Sequence, residues 1–128
     1  FIGICVGMQL MADRGREHGV QQGLGWIKGE VVPIVPSDPG LKIPHMGWND
    51  LQVERPDHPV LAGIGTGEHA YFVHSYRFAC TDPANELACV DYGGPVAAVM
   101  ASGASSSAGA SEVAIDSSAR PARASRRA

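Results

Sequence analysis

The chain has 128 residues, of which 45% are hydrophobic and 18% are charged, and it contains 16 Gly and 9 Pro. This fits one small soluble α/β domain, with neither an apolar run long enough to span a bilayer nor a basic and apolar leader. Residues 1–100 contain 6 Lys+Arg and 11 Asp+Glu, a formal net charge of −5. Residues 101–128 contain 4 Lys+Arg and 2 Asp+Glu, a formal net charge of +2. The acidic body argues against nucleic-acid binding. Three cysteines without a C-x-x-C pair predict a reduced cytoplasmic protein.

The first dozen residues predict a strand, a tight turn and a helix. Residues 1–4 are apolar and form the second half of a predicted buried strand, so the chain is expected to be a fragment of a longer protein. Residues 6–14 are compatible with a helix that Gly15 ends. Between these segments lies Gly-Ile-Cys-Val-Gly at 3–7, a G-x-C-x-G pattern that is the thiol counterpart of the G-x-S-x-G nucleophile elbow.

The rest of the predicted domain is rich in strands. Residues 16–25 form a polar loop that contains Glu17, and Pro33 gives the strand after it an edge position or an early end. The further predicted elements are strands at 26–35, 46–54, 70–75, 87–92 and 96–100, a turn at 36–40 and a short helical turn at 58–64. Several strands with few helices predict the later half of an α/β domain over residues 1–100.

The character of the sequence changes at Ala101. Residues 101–128 contain nine alanines and eight serines but no aromatic residue. Such a segment buries too little apolar surface to offset the entropy that ordering costs, so it is predicted to be a disordered tail. A weak helix through the alanines is the alternative.

The elbow pattern indicates a nucleophilic cysteine. Glycines at 3 and 7 remove Cβ atoms that would collide with the turn and with a substrate. Cys5 then lies at a helix N-terminus, where unpaired N–H groups favour a thiolate and stabilise an oxyanion. Gln9, one helical turn later, shares that helix face and could hydrogen-bond the group that Cys5 attacks. The alternative is a buried Cys5 in an ordinary turn with a solvated Gln9.

The segment Gly-Ile-Cys-Val-Gly-Met-Gln-Leu-Met at 3–11 resembles the elbow of the triad-type (class I) glutamine amidotransferases. Three further segments are similar to one branch of that family, the glutaminase subunits of imidazole glycerol phosphate synthase in histidine biosynthesis. They are Gly-Leu-Gly-Trp-Ile at 23–27, Pro-His-Met-Gly-Trp-Asn at 44–49 and Tyr-Phe-Val-His-Ser-Tyr at 71–76. The resemblance covers residues 1 to about 100 and implies a partial flavodoxin-like α/β domain with a mixed sheet.

This resemblance also implies a site. Cys5 would attack the side-chain amide of glutamine to form a thioester, and the backbone N–H of Val6 would stabilise the oxyanion. Glu17, twelve residues after the cysteine, would pair with the α-ammonium group. The remaining residues that the resemblance assigns to the glutamine pocket are Gln9, His74, Ser75 and Tyr76. Neither a metal nor a cofactor is implied.

The base of the implied triad is missing from this chain. A thiolate nucleophile works with a histidine that a carboxylate orients, and the family supplies both as a His-x-Glu pair. None of the five histidines here is followed two residues later by glutamate. The 128-residue chain alone is therefore expected to turn over little or no glutamine.

The resemblance implies a partner as well. The family's glutaminase docks on a (β/α)8-barrel cyclase subunit to form a heterodimer, and ammonia passes to the cyclase. Trp48 and Asn49 fall in a segment that the family places at that interface, and Trp48 offers a large flat face for contact. The alternatives are a core position for Trp48, another class I amidotransferase serving a different synthase, or an interaction module without catalytic activity.

Overall fold

The computed structural model describes residues 2–102 and 113–115, and strands predominate in this part of the chain. None of its helices has the length and apolar composition that crossing a bilayer requires. Two 3₁₀ helices cover Pro59–Leu61 and Pro83–Asn85. The other elements are β1 (Ile2–Ile4), α1 (Val6–Leu10), β2 (Arg14–Gly15), β3 (Gln21–Gln22), β4 (Gly29–Pro33), β5 (His45–Asp50), β6 (Gln52–Val53), β7 (His69–His74), β8 (Tyr76–Cys80), β9 (Glu86–Asp91), β10 (Pro95–Ala101) and β11 (Val113–Ile115).

The strands of the described residues form three sheets. The largest has the order β1-β11-β10-β9-β6, in which β1 and β11 are parallel and the other pairs are antiparallel. A second sheet has the order β3-β2-β4-β8, with β2 and β4 parallel. The strands β5 and β7 form an antiparallel ribbon. The predicted mixed sheet of a partial α/β domain is confirmed.

Strand β10 lies between two apolar clusters. Its residues from Val96 to Ala101 are all buried, as expected for an apolar run with both faces covered. Ala97 and Met100 pack in a cluster with Met8 of α1, whereas the other buried residues of the strand join a second cluster. Register shifts against β9 on either side of Val99 break the two-residue alternation, which is the signature of a bulge.

The helix after the cysteine is shorter than predicted. It ends at Leu10 rather than near Arg14. The backbone N–H of Leu24 donates to the carbonyl of Leu10 at 2.8 Å, and that of Trp26 donates to the carbonyl of Met11 at 2.9 Å. Because a returning loop takes these carbonyls, the helix stops and Arg14 enters β2.

Long-range pairing changes other predicted bounds. The strand predicted at 46–54 is interrupted at Leu51, because β5 pairs with β7 and β6 pairs with β9. Strand β8 was not predicted, and residues 21–22 of the predicted loop form β3. Pro33 is the last residue of β4, so the early end is confirmed, although β4 is an inner strand of its sheet. The helical turn predicted at 58–64 is confirmed as a 3₁₀ helix.

The predicted tail contributes to the largest sheet. Ala101 is the last residue of β10 and is buried. Val113–Ile115 forms β11, parallel to β1 and antiparallel to β10. These residues pair with strands that sequence composition does not reveal, and the disorder of the tail stays a prediction. For 103–112, 116–128 and Phe1 the predictions lie outside the described residues.

Candidate active site

The backbone at Cys5 has the strained geometry that the elbow pattern predicts. Cys5 separates β1 from α1 and has φ 57° and ψ −115°. A residue with a side chain in this region costs about 1–3 kcal/mol and persists only where its surroundings enforce it. The thiol is exposed. The strained turn is confirmed, and the alternative of a buried Cys5 is wrong.

The two glycines of the elbow have different roles in the protein. A Cβ at Gly3 would lie 2.6 Å from the carbonyl oxygen of Gly7 and 2.6 Å from the Cε of Met11. Met11 is fully buried, so it has little room to move. A Cβ at Gly7 meets no atom within 4 Å. The predicted collision with the turn is thus confirmed for Gly3 and wrong for Gly7, where contact with a substrate stays a prediction.

Alanine substitutions at these two glycines are expected to have opposite effects. Gly3→Ala should lower the free energy of unfolding by about 1–3 kcal/mol, since the new methyl group overpacks the turn. Gly7→Ala should raise it by about 0.5–1 kcal/mol, because alanine loses less backbone entropy in a helix. Urea unfolding of both variants measures the difference. Equal effects would show that α1 does not fold back on β1 as described.

A cleft of about 360 Å³ lies beside α1. The structure brings Val6, Gln9 and Glu17 together along it, as the sequence predicted. Cys5 immediately precedes Val6 but is not itself among the lining residues. These are Val6, Gln9, Leu10, Gly15, Glu17, His18, Gln21, Gln22, Gly23 and Val31.

The Gly-Leu-Gly-Trp-Ile segment packs against the end of α1, and its first residue, Gly23, lines the cleft. Its N–H groups satisfy carbonyls at the end of α1, which would otherwise lack partners; Gly25 donates to Ala12 at 2.9 Å. A Cβ at Gly23 would lie 2.0 Å from the carbonyl oxygen of Ala12. Only glycine fits at this close approach of the two backbones.

Ion pairs join residues that are chain neighbours of Gly15 and Val31 in the cleft and of the nearby loop. The guanidinium of Arg16 binds Glu30 at 2.7 Å, and Arg14 binds the same carboxylate. The hydrogen bond from Arg16, followed by the smaller effect of the one from Arg14, lowers the pKa of Glu30 below its ordinary value. Glu30 in turn raises the pKa of Arg16. Asp13 accepts from the N–H of Gly29 at 3.0 Å and from Lys28. The bond from Gly29, followed by that from Lys28, lowers the pKa of Asp13.

Acid should destabilise the fold partly through Asp13. A carboxyl whose pKa is lower in the folded state stabilises it above the ordinary pKa and loses this contribution as the pH falls. The urea concentration at the midpoint of unfolding is therefore expected to decrease as the pH is lowered below about 4. The decrease should be smaller in Asp13→Asn. Asp57→Asn, at an exposed carboxylate outside the sheets, is the matched control. The same acid loss in Asp13→Asn and wild type would contradict this role for Asp13.

The predicted pocket residues of the 74–76 segment do not reach the cleft. His74 is 8% exposed, and its Nε2 lies 2.8 Å from the Nδ1 of His45, its partner in the β5–β7 ribbon. The carbonyl of Ser75 accepts from Ile34 at 2.9 Å. Tyr76 is half-buried against the cluster that contains Met8. Strand pairing directs this segment inward, and its contact with a substrate stays a prediction.

Trp48 and Asn49 lie on opposite faces of the ribbon. Trp48 is 60% exposed and meets Tyr71 edge-on, with ring centroids 5.5 Å apart, so the core alternative is wrong. Asn49 is half-buried and donates to the carbonyl of Asp91 at 2.8 Å. Only Trp48 of this predicted interface pair belongs to the outer face, beside the exposed Met46.

The environments of the other two cysteines disfavour a thiolate. Cys89 is 5% exposed, and burial, aided by the nearby Glu86 and Glu54, raises its pKa to about 11. Burial also raises the pKa of Cys80. All three cysteines are free thiols. Cys5 is the one that is exposed.

Sequence reasoning did not assign His18, Gln21 or Gln22 to the site. All three line the cleft. Position next to Glu17 was the available signal for His18, and an amide-rich loop was the signal for the glutamines. Within the described residues, no group of three or more His, Cys, Asp or Glu side chains is placed to hold a metal ion; the absence of a metal or cofactor stays a prediction.

Comparison with known proteins identifies the family. No family model matches the chain. Among its curated relatives are imidazole glycerol phosphate synthase subunits HisH from three bacteria. That of Cereibacter sphaeroides is 62% identical over 100 residues, or 78% of this chain and 47% of the relative. That of Azospirillum brasilense is 66% identical over 94 residues, which are 73% of this chain and 48% of the relative. That of Rhodospirillum rubrum is 60% identical over 100 residues, which are 78% of this chain and 47% of the relative.

Such identity over three quarters of the chain confirms the resemblance carried by the elbow and its three companion segments. The chain belongs to the glutamine amidotransferases, a family of enzymes. Within that family, its matched part belongs with the HisH subunits. The chain spans about half the length of the curated relatives it matches.

Proposed function

We propose that the protein represented by this chain is the glutaminase subunit of imidazole glycerol phosphate synthase. It would hydrolyse glutamine to glutamate and ammonia and pass the ammonia to a cyclase subunit. The observation that carries the proposal is the exposed thiol of Cys5 on a strained strand-to-helix turn, next to a cleft lined by Gln9 and Glu17. The similarity to HisH subunits supports it.

The chemistry begins at the sulfur. The Cys5 thiolate attacks the amide carbon of the glutamine side chain, and the N–H of Val6 donates to the oxyanion of the tetrahedral intermediate. The C–N bond breaks as the nitrogen takes up a proton, and ammonia leaves a thioester on Cys5. Water then attacks the thioester, releasing glutamate and restoring the thiol. The net reaction consumes one water and one glutamine.

The cleft supplies the substrate contacts of the proposal. Glu17 is a carboxylate for the α-ammonium group, and Gln9 offers an amide to the polar part of the substrate. His74, Ser75 and Tyr76 would complete the pocket, which requires a shift of that segment from the position described above. Proton transfer requires a base, and the chain has no His-x-Glu pair to supply one. We therefore expect the 128-residue chain alone to turn over little or no glutamine.

The outer face of the ribbon supports a subunit partner. Met46 and Val73 are cross-strand neighbours, as are Trp48 and Tyr71, and three of these four side chains are exposed large apolar groups. A contiguous exposed apolar face of this kind is typical of protein interfaces. The proposed partner is the (β/α)8-barrel cyclase, and the proposed location is the cytoplasm, in keeping with three free thiols.

A chimera tests the proposal. The matched 100 residues of this chain would replace their counterparts in the Cereibacter sphaeroides relative, and glutamate release would be measured with the cyclase present. The proposal predicts glutamine-dependent release that requires Cys5. Unmodified relative and cyclase give the reference rate. A folded chimera that binds the cyclase without releasing glutamate would instead favour a non-catalytic interaction module, which the exposed ribbon face also suits.

A further inference from the structure

Two buried imidazoles face each other at one end of the β5–β7 ribbon. His45 and His74 are register partners, and 2.8 Å separate the Nδ1 of His45 from the Nε2 of His74. Both side chains are buried. At this separation one nitrogen donates and the other must accept. The two facing nitrogens therefore share a single proton.

His45 also joins the ribbon to the turn at residues 92–94, which connects β9 to β10. Its ring stacks on that of Tyr92, with centroids 4.0 Å apart and an interplanar angle of 25°. The amide nitrogen of Asn49 lies 3.4 Å from the Nε2 of His45 and donates to the carbonyl of Asp91 at 2.8 Å. Contacts between the ribbon and the turn thus converge on one imidazole.

Acid supplies more protons than this arrangement accepts. An imidazole in an unfolded chain takes up a proton near about pH 6.5. When both rings are protonated, all four ring nitrogens carry hydrogen, and the two facing nitrogens repel each other. The closed pair therefore binds at least one proton fewer than two separated imidazoles. A state that binds more protons is favoured as the pH falls, so the closed pair is stable above about pH 6.5 and loses stability below it.

We propose that the His45–His74 pair is a pH-sensitive contact, which holds the β5–β7 ribbon on the turn at 92–94 near neutral pH and releases it in mild acid. The proposal goes beyond glutamine hydrolysis and does not depend on it, because it follows from the proton count of two facing imidazoles.

The titratable and charged groups near the pair have contacts of their own. The hydroxyl of Tyr92 donates to the backbone carbonyl of Lys42. The carboxylate of Asp91 accepts from the N–H of Gly94 at 3.0 Å. Arg77 of β8 lines the same small cavity as Tyr92, and its positive charge disfavours a further positive charge nearby.

The opposite end of the ribbon has the reverse response to acid. His69 and Asp50 are register partners, and the Nε2 of His69 lies 3.1 Å from the carboxylate of Asp50. Protonation of His69 turns this contact into an ion pair. Release is therefore expected to begin at the end that holds His45 and His74.

Amide hydrogen exchange of the 128-residue chain tests the proposal, after correction for the intrinsic effect of pH on exchange. Relative to amides of β10, we expect the protection of β5 and β7 amides to fall about tenfold or more between about pH 6 and pH 5, as one extra proton requires. The double variant His45→Gln/His74→Gln keeps two amides that can hydrogen-bond but has no titratable ring there. Its loss should be less than about twofold.

His18→Asn is the matched control. It removes an imidazole whose side chain is 92% exposed and lies outside the ribbon, and asparagine tolerates the left-handed backbone at this position. It should keep the wild-type loss of protection. Equal losses in wild type and the double variant, or no loss in wild type, would overturn the proposal.

Ring-nitrogen spectra of the ¹⁵N-histidine-labelled chain count the protons without any substitution. One of the two facing nitrogens should lack hydrogen at every pH at which the ribbon remains protected. Hydrogen on both of them in the closed ribbon would contradict the proposal. If the double variant does not fold, these spectra and the order of opening in wild type decide, and protection lost first at the His69 end would also contradict it.

Discussion

Replacing Cys5 by alanine is expected to lower glutamate release by the chimera about 1,000-fold or more, because the proposed thioester forms on the sulfur of Cys5. The substitution removes the sulfur and leaves a small side chain at a site where the backbone is already strained. Steady-state assays with the cyclase and saturating glutamine measure the loss. Binding of glutamine, followed by titration, should change far less than the rate, since the cleft is lined by other residues.

Cys80→Ala is the matched control for this experiment. Cys80 is half-buried in β8 and takes no part in the cleft, so its removal should leave the rate within about twofold, as expected of a site outside the catalytic machinery. Retention of more than about a tenth of the activity by Cys5→Ala, judged against the usual cost of losing a nucleophile, would show that the proposed chemistry is wrong.

Iodoacetamide is expected to modify Cys5 at least about 100-fold faster than Cys89 in the folded chain. Burial raises the pKa of Cys89 from 9.0 to about 11, which reduces its thiolate fraction about 100-fold near neutral pH. Greater nucleophilicity of a more basic thiolate offsets part of this factor. Burial of Cys89 within β9 restores the difference, because the sheet must open before the reagent reaches the sulfur.

Mass spectrometry of peptides over a time course measures the three labelling rates. Cys80, half-buried and with a raised pKa, should fall between the other two. Labelling in concentrated urea is the control, since unfolding should bring the three rates together. Equal rates in the folded chain would contradict the described exposure of the elbow.

The sequence was most informative where residues close together in the chain determine the local conformation. Glycines two residues either side of Cys5 predicted the strained turn, and φ 57° confirms it. Placement of Gln9 and Glu17 on one cleft also followed from spacing and resemblance, since both are close to the turn in the chain. Element type was right for most strands because their apolar residues alternate or run together.

Sequence reasoning failed where distant segments compete for backbone groups or bury side chains. Met11 favours helix by composition, yet its carbonyl is taken by the N–H of Trp26. His74 is polar and was assigned to a pocket, but register with His45, a residue 29 positions earlier in the chain, places it inside. The strand Val113–Ile115 pairs with β1, and no local pattern in this alanine- and serine-rich segment predicts that pairing.

Strand β10, which belongs to both apolar clusters, ties the cysteine turn to the rest of the described domain. Met8 of α1 belongs to the same cluster as Met100, while neighbouring residues of the same strand belong to the other cluster. Loss of either cluster uncovers one side of that strand and weakens the other cluster at once. Unfolding is then cooperative across both clusters. A destabilising change at the cysteine turn therefore lowers the thermal stability of the whole sheet and does not unfold α1 alone.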